Sequence, residues 1–201
     1  MQTPAFFNDA PTIELIDPLA GFLGATTEGR ITYTYADVVK LAGHSCPTVA
    51  GAYLMTRQAL AHLYGEETPE RGNIKVTMRD AIDEGVTGVI GNVISMITGA
   101  AGAGGFRGIG PKFKRSGLLE YGVSQVAEVR FTRVDNGQSI GVDYEASAVP
   151  PHPSQGAVMQ AIMSGAAGPE QVAQFGEMWQ QRVGKIMTSP ELWPVMVTLS
   201  E

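Results

Sequence analysis

Cysteine is almost absent from this sequence, since Cys46 is the only one among 201 residues. A single cysteine excludes an internal disulfide framework and is typical of a protein in a reducing compartment, so we expect a cytoplasmic location. Histidine is nearly as scarce, with only His44, His62 and His152. Any metal site built from thiolate and imidazole ligands therefore has few candidate residues.

Excess basic charge and long apolar runs are also missing. The net charge of -6 argues against general nucleic-acid binding. The first residues carry no basic cluster but do carry acidic ones, so we expect no signal peptide. Residues 85–106 form an uncharged stretch as long as the roughly 20 residues that a membrane span needs. That stretch contains seven glycines, so we expect a buried helix with a small-residue packing face and no membrane partner.

Helical and extended patterns are mixed along the chain. Residues 47–64 predict a helix, because a proline opens the segment, apolar residues recur at helical spacing and a glycine follows it. Residues 73–78 alternate as a strand does, and 126–134 and 138–146 predict a hairpin around an Asp-Asn-Gly turn. This mixture predicts an α+β fold, with an antiparallel sheet packed against helices.

Three parts are predicted from these patterns. Residues 1–29 contain three prolines and are expected to form an irregular N-terminal arm. Residues 30–150 would form the main domain. Residues 151–201 are expected to be a C-terminal helical segment, broken near 165–169, that packs on the domain or on a partner subunit.

The motif GHSCPT places the single cysteine beside a histidine. Pro47 suits the first helical position, which puts Cys46 at the N-cap, where free N–H groups and the helix dipole favour a thiolate. His44 lies two residues upstream, and in extended backbone the two side chains point the same way. The pair could bind zinc or a related metal, or act as a nucleophile and its base. A buried cysteine without chemistry, next to a histidine in a turn, is an equally good interpretation of these residues.

Two ligands do not complete a metal site, since a catalytic zinc usually has three protein ligands. Asp80, in TMRDAID, follows a predicted strand and could be a ligand or a base, or simply a helix N-cap. His152, in PPHPS, lies in a rigid loop that could reach the site. His62 lies about 24 Å along the helix from Cys46 at 1.5 Å per residue, so we exclude it from the same site.

A glycine-rich basic stretch, GFRGIGPKFKRSG at 105–117, is the other candidate binding element. Close backbone approach and clustered positive charge suit an anion such as a carboxylate or a phosphate. The stretch lacks the ending of a P-loop and follows no strand, so it does not indicate a nucleotide site. We assign Arg107 and Lys112 as candidate ligand-binding residues; a mobile surface loop or a lid are the alternatives.

Two motifs in order, GHSCPTVAGAYLM and RDAIDEGVTG, resemble those of the FmdE family over about residues 30–146. The resemblance implies an α+β domain, often a homodimer, with His44 and Cys46 as metal ligands and Asp80 lining the site. Thr77 stands where the family often has a cysteine, and the cysteine-rich zinc ribbon of some members is missing. The family takes its name from a component of formylmethanofuran dehydrogenase, an enzyme of one-carbon metabolism, and the name reports association rather than an activity.

Several functions fit these observations. The first is a metal-dependent enzyme acting on a small anionic substrate, with a divalent transition metal, zinc in first place, on His44 and Cys46. In that hypothesis Cys46 and Asp80 are the candidate catalytic residues, and Asp80, His152, Thr77 or water complete the ligand set. The alternatives are a non-catalytic metal carrier or accessory subunit of a larger redox enzyme, a metal-free thiol enzyme using Cys46, and a haem protein with cysteine ligation.

Overall fold

The computed structural model describes residues 3–201 and confirms the predicted α+β class. Its helices are α1 (Phe6–Asp9), α2 (Pro18–Phe22), α3 (Tyr35–Ala42), α4 (Pro47–Tyr64), α5 (Thr87–Thr98), α6 (Gln155–Met163), α7 (Pro169–Thr188) and α8 (Trp193–Met196). Its strands are β1 (Ile13–Ile16), β2 (Arg30–Tyr33), β3 (Ile74–Met78), β4 (Leu119–Glu120), β5 (Val129–Arg133), β6 (Ser139–Tyr144) and β7 (Val197–Ser200). Over residues 3–201, no helix combines the length and apolar character that crossing a membrane requires.

Helix α4 lies at the centre of the core and packs against α5, α7 and strand β6. The predicted helix over 47–64 is confirmed at both ends. Pro47 occupies the first turn, where a missing N–H costs nothing, and Gly65 ends the helix with a positive φ of 56°. Most of its side chains are buried, so α4 is a core helix rather than a surface helix with one wet face.

A five-stranded sheet in the order β4-β3-β5-β6-β7 covers one side of α4. Neighbouring strands are antiparallel except β3 and β4, which are parallel. The predicted hairpin is confirmed as β5 and β6, with Val129 opposite Val142. Gly137 in the connecting turn has a φ of 76°, a conformation that glycine adopts without strain.

Helix α5 confirms the buried small-residue helix predicted within 85–106. Ile90, Val93 and Ile97 are buried in the core. On another face, a Cβ at Gly91 would overlap the hydroxyl of Tyr121, so only glycine permits this close approach. Helix α5 matters for function because its start lines one cavity and the carbonyl of Met96 near its end is bonded to Arg71, which lines another.

The expectation of an irregular N-terminal arm is wrong for residues 3–29. Strand β1 pairs antiparallel with β2, and Ile13 and Leu15 are buried in the same core as α4. Asp17 caps α2 by accepting hydrogen bonds from Leu19 N at 2.9 Å and Ala20 N at 3.2 Å. The prolines lie at or near the ends of short helices and strands here. Pairing with β2 stabilises β1, which is too short to predict alone.

The C-terminal segment contains the expected helices and the expected break, since α6 and α7 are separated at residues 164–168. The segment does not remain helical to its end, because β7 pairs with β6 through Val197 and Tyr144. Val183, Ile186 and Met187 of α7 enter the same hydrophobic core. The three predicted parts of the chain therefore share one core.

Candidate metal centre

His44 and Cys46 lie in the wall of one cavity of about 420 Å³ where α4 begins. The cavity is lined by His44, Cys46, Pro47, Thr48, Val86, Val89, Trp179 and Arg182. The structure thus brings together the two residues that the sequence predicts as metal ligands. The opposite walls come from the start of α5 and from α7, which the motif alone did not indicate.

The short segment between α3 and α4 is held from two sides. The carbonyl oxygen of Ser45 accepts hydrogen bonds from Trp179 Nε1 at 2.9 Å and from Gln180 Nε2 at 3.1 Å. The Ser45 hydroxyl lies 3.0 Å from the hydroxyl of buried Tyr35. These contacts fix the backbone on which His44 and Cys46 stand, and fixed donors suit a binding site.

Cys46 is the N-cap of α4, as predicted. Its Sγ accepts a hydrogen bond from Val49 N at 3.4 Å, and its backbone is extended. The residue is 8% exposed, so it is largely shielded from solvent although it lines the cavity. A capping sulfur near free N–H groups can carry negative charge, which a metal ligand or a nucleophile needs.

His44 is exposed, and its ring is oriented by the backbone. Nδ1 lies 3.0 Å from the carbonyl oxygen of Ala42. Because a carbonyl oxygen can only accept, Nδ1 carries the hydrogen in this bond and neutral His44 has its lone pair on Nε2. Metal-binding histidines commonly show this arrangement, so the imidazole fits a metal ligand.

The electrostatic environment of this cavity is positive. Helices α4 and α5 both begin at it, and each contributes the positive end of its dipole. Arg182 adds a full charge, with Nε donating to Val149 O at 2.7 Å and Nη2 to Ala146 O at 3.5 Å. Sequence reasoning missed Arg182 and Trp179, because both lie more than a hundred residues beyond the motif.

Tyr144 of β6 is a third residue that the sequence did not reveal. Its ring packs on α4 where a Cβ at Gly51 would overlap it. Burial raises the pKa of the Tyr144 hydroxyl, the charge of Arg182 opposes this rise and the charge of Cys46 adds to it. The hydroxyl is buried and has no hydrogen-bond partner in residues 3–201. An unpaired buried phenol can donate to an acceptor that comes within reach, but Tyr144 is not among the residues that line the cavity.

Asp80 does not line the cavity that contains Cys46. Both of its carboxylate oxygens accept hydrogen bonds from Arg79, at 3.0 and 3.3 Å. Arg79 also lies 4.0 Å from Asp143, so Asp80 belongs to a charged cluster at one end of the sheet. The alternative N-cap role is wrong as well, because α5 begins after Val86.

The other predicted ligands are also engaged elsewhere. The Thr77 hydroxyl donates to Gln125 at 2.6 Å, and His152 Nδ1 lies 2.8 Å from the Ser154 hydroxyl. His62 lies in the last turn of α4, far from the motif as predicted. Within residues 3–201, no three His, Cys, Asp or Glu side chains are grouped so that they could hold a metal ion. The donor pair fits a metal, but the described residues do not supply a closed ligand set.

The basic stretch lies apart from the Cys46 cavity. Lys112 lines a different cavity of about 530 Å³, and Arg107 is exposed and lines neither. The two residues assigned to one anionic ligand are therefore not in one site. The cavity near Lys112 lies by the C-terminal end of α5, where Arg71 donates to Met96 O at 2.9 Å.

No protein-family model matches the chain. No curated protein matches it at a significant level either. The resemblance to the FmdE family consequently remains a hypothesis, carried by the two sequence motifs alone.

Proposed function

We propose that this chain is an FmdE-like metal-binding protein in which His44 Nε2 and Cys46 Sγ hold a divalent transition metal, with zinc as the first choice. The supporting observation is that both donors line one cavity while His44 Nδ1 is bonded to a carbonyl oxygen. Imidazole and thiolate are the ligands that zinc prefers over harder cations.

The remaining coordination positions of the metal would be filled by groups other than the side chains of residues 3–201. Two protein donors are one fewer than a catalytic zinc usually has, and no acidic side chain joins them in residues 3–201. Water, a substrate or a donor from a second chain would complete the set. An open site of this kind is suited to binding and polarising a small molecule more than to stabilising a fold.

We propose a small anionic substrate for this site. A bound divalent metal would supply Lewis-acid polarisation of a substrate oxygen. Arg182 would hold the anionic group, and the starts of α4 and α5 would add their partial positive charge. Trp179 and Val89 would limit access of water. This assignment moves anion recognition from Arg107 and Lys112 to Arg182. A metal carrier or an accessory protein of a redox enzyme would need the same ligands but no substrate.

We also propose that the protein is a cytoplasmic homodimer. Leu41, Ile82 and Val86 are apolar, about half exposed, and lie beside His44 or the start of α5. A second copy packed on this face would bury them and could supply the missing ligands. A reducing compartment would keep Cys46, a free thiol, available as a ligand.

The test of the metal site is a titration of the metal-free protein with cobalt(II), which reports thiolate ligation by its near-ultraviolet charge-transfer absorption. The wild type and the His152→Ala control should show the band, and Cys46→Ser should abolish it. His44→Ala should weaken cobalt binding, since it removes one of two protein donors. Absence of the band in the wild type under reducing conditions would refute the proposal and leave Cys46 as a thiol or a cap.

The test of the dimer is the molar mass in solution, measured by light scattering with and without zinc. Ile82→Asp should shift the protein to a monomer, because a charge would be buried in the proposed interface. Met163→Asp is the matched control, since Met163 is an exposed apolar residue at the end of α6, away from the proposed interface. A monomeric wild type under both conditions would contradict the proposal.

A further inference from the structure

A second cavity, at the C-terminal end of α5, is larger than the one beside Cys46. Its volume is about 530 Å³, which lies in the usual range for small-molecule sites. It is lined by Pro18, Glu70, Arg71, Gly72, Asn73, Pro111, Lys112, Phe113, Lys114, Arg115, Leu118 and Val134. None of these residues lines the cavity of His44 and Cys46, so the two sites are separate.

Two arginines of the lining share one buried carboxylate. Asp17 accepts from Arg71 Nη1 at 2.8 Å and from Arg115 Nη2 at 2.7 Å, and both Asp17 and Arg115 are more than nine-tenths buried. Burial alone would raise the pKa of Asp17, but the hydrogen bond from Arg71 and the two positive charges lower it. Asp17 is therefore ionised, and the trio keeps one positive charge in excess.

The other terminal nitrogen of the Arg115 guanidinium takes no part in the bond to Asp17. Nη1 is buried and donates to no acceptor in residues 3–201. It occupies space that a Cβ at Gly72 or Gly99 would fill, and both glycines have positive φ. Burial lowers the pKa of Arg115, and the charge of Asp17 opposes this fall. Buried donors normally have a partner, so this one indicates a missing acceptor at the cavity wall.

The basic stretch forms a short hairpin beside the cavity. Ile109 and Lys112 exchange backbone hydrogen bonds of 2.9 and 3.2 Å, and Arg115 N donates to Phe106 O at 2.8 Å. Phe113 packs on Phe22 of α2 with ring centroids 5.3 Å apart. The hairpin thus presents its lysines from a defined backbone rather than from a structureless loop.

Positive charge predominates in the lining. Lys112 and Lys114 are on the hairpin, and Arg71 and Arg115 lie behind them. Glu70 is the one carboxylate among the described residues of the lining. This excess arises in a chain whose net charge is -6, so it is a local feature and not an average.

We infer that this cavity binds the phosphate group of a small organic phosphate monoester. A dianion with three terminal oxygens can accept from the lysines and the arginine face together, whereas a carboxylate has two oxygens and one charge. The apolar lining from Pro18, Phe113 and Val134 suits an organic body beside the phosphate. The site goes beyond the proposed metal function and stands whether or not a metal binds at Cys46.

The test is calorimetric titration of the protein in chelator with AMP, inorganic phosphate and adenosine as probes. AMP should bind more tightly than inorganic phosphate, and adenosine should not bind. The double substitution Lys112→Glu with Lys114→Glu should weaken AMP binding by at least about tenfold, since it removes two charged hydrogen-bond donors and puts negative charge in their place. Both lysines lie on the hairpin surface, so the variant should fold, which circular dichroism checks.

Lys185→Glu is the matched control, because Lys185 is an exposed lysine of α7 outside the cavity. Its AMP affinity should equal that of the wild type. Absence of binding tighter than about 1 mM for both AMP and phosphate would overturn the inference. Equal weakening in the Lys185 variant, or equal affinity for AMP and bare phosphate, would also overturn it. None of these outcomes depends on the cobalt titration.

Discussion

Two cavities adjoin the two ends of helix α5, and the positive potential in each arises in a different way. At the N-terminal end the helix starts of α4 and α5 supply much of it, and Arg182 adds one charge. At the C-terminal end the helix contributes negative potential, so side chains must reverse it. Arg71 does so directly, by donating to the last carbonyl oxygens of α5, Met96 O and Ile97 O.

This difference decides which neighbours each cavity needs. A cavity at helix starts can hold an anion with few charged side chains. A cavity at a helix end needs several cations, and cations in a wall need a buried anion to hold them. Asp17 fills that role for Arg71 and Arg115. The comparison therefore predicts that Asp17 matters for stability, whereas Cys46 matters mainly for chemistry.

The largest expected effect on the free energy of unfolding comes from the substitution Asp17→Asn. The amide can still cap α2, but it leaves the buried guanidinium of Arg115 and the partly buried one of Arg71 without a counter-charge. Breaking a buried ion pair on one side costs about 3–5 kcal/mol, so we expect a loss of that size in the free energy of unfolding. Urea denaturation followed by circular dichroism measures it.

The control for that change is Asp135→Asn. Asp135 also accepts from an arginine, Arg133 at 2.7 Å, but it lies on an exposed turn. Exposed pairs contribute about 0–1 kcal/mol, so this variant should remain close to the wild type. Equal losses in the two variants would mean that burial of the Asp17 trio adds nothing.

A smaller effect is expected from Gly51→Ala in α4. The added Cβ would overlap the ring of Tyr144, and overpacking of this kind costs about 1–3 kcal/mol. Gly176→Ala in α7 should instead stabilise the protein, because a Cβ there meets nothing within 4 Å and alanine is more favourable than glycine in a helix by about 0.8–1.0 kcal/mol. Thermal unfolding of both variants measures the difference. Stabilisation by Gly51→Ala would show that Tyr144 is not fixed against α4.

The acid dependence of stability provides a further test of the Asp17 trio. The pKa of Asp17 is lowered from its ordinary value of 3.8, so the unfolded chain binds a proton first as the pH falls. Its contribution to stability is present above pH 3.8 and is lost as the pH falls through the lowered pKa. The wild type and Asp17→Asn should therefore become more alike with acidification, as measured by urea denaturation across this range. A difference in the free energy of unfolding between the two proteins that stays constant with pH would contradict the lowered pKa of Asp17.

The sequence predicted best where a feature depends on neighbouring residues. The bounds of α4 and the shared cavity of His44 and Cys46 follow from one short motif with its proline and cap. The Asp17 trio joins residues separated by 54 and 98 positions, and no local pattern encodes such contacts. One usable signal was missed: Asp17 followed by a proline is a good helix start and could have revealed α2.

Strands β1 and β7 were missed for a related reason. Each has four residues, and each is defined by a partner strand rather than by its own alternation. The predicted role of Asp80 depended on its position after β3, which is correct. Position in the chain could not show that the adjacent Arg79 engages both carboxylate oxygens.

The smallest expected change in stability distinguishes the two possible roles of Cys46, a helix cap and a metal ligand. Cys46→Ala removes the acceptor that caps α4 at Val49 N, and loss of a cap costs about 1 kcal/mol. Cys46→Ser keeps an acceptor of a preferred capping type, so in metal-free buffer it should be more stable than Cys46→Ala by about that amount. Both variants should lose the cobalt charge-transfer band. If Cys46→Ser bound metal as tightly as the wild type, the sulfur would act only as a cap. Equal stability of the two variants would instead show that the cap contributes nothing and that the cavity needs sulfur for its chemistry alone.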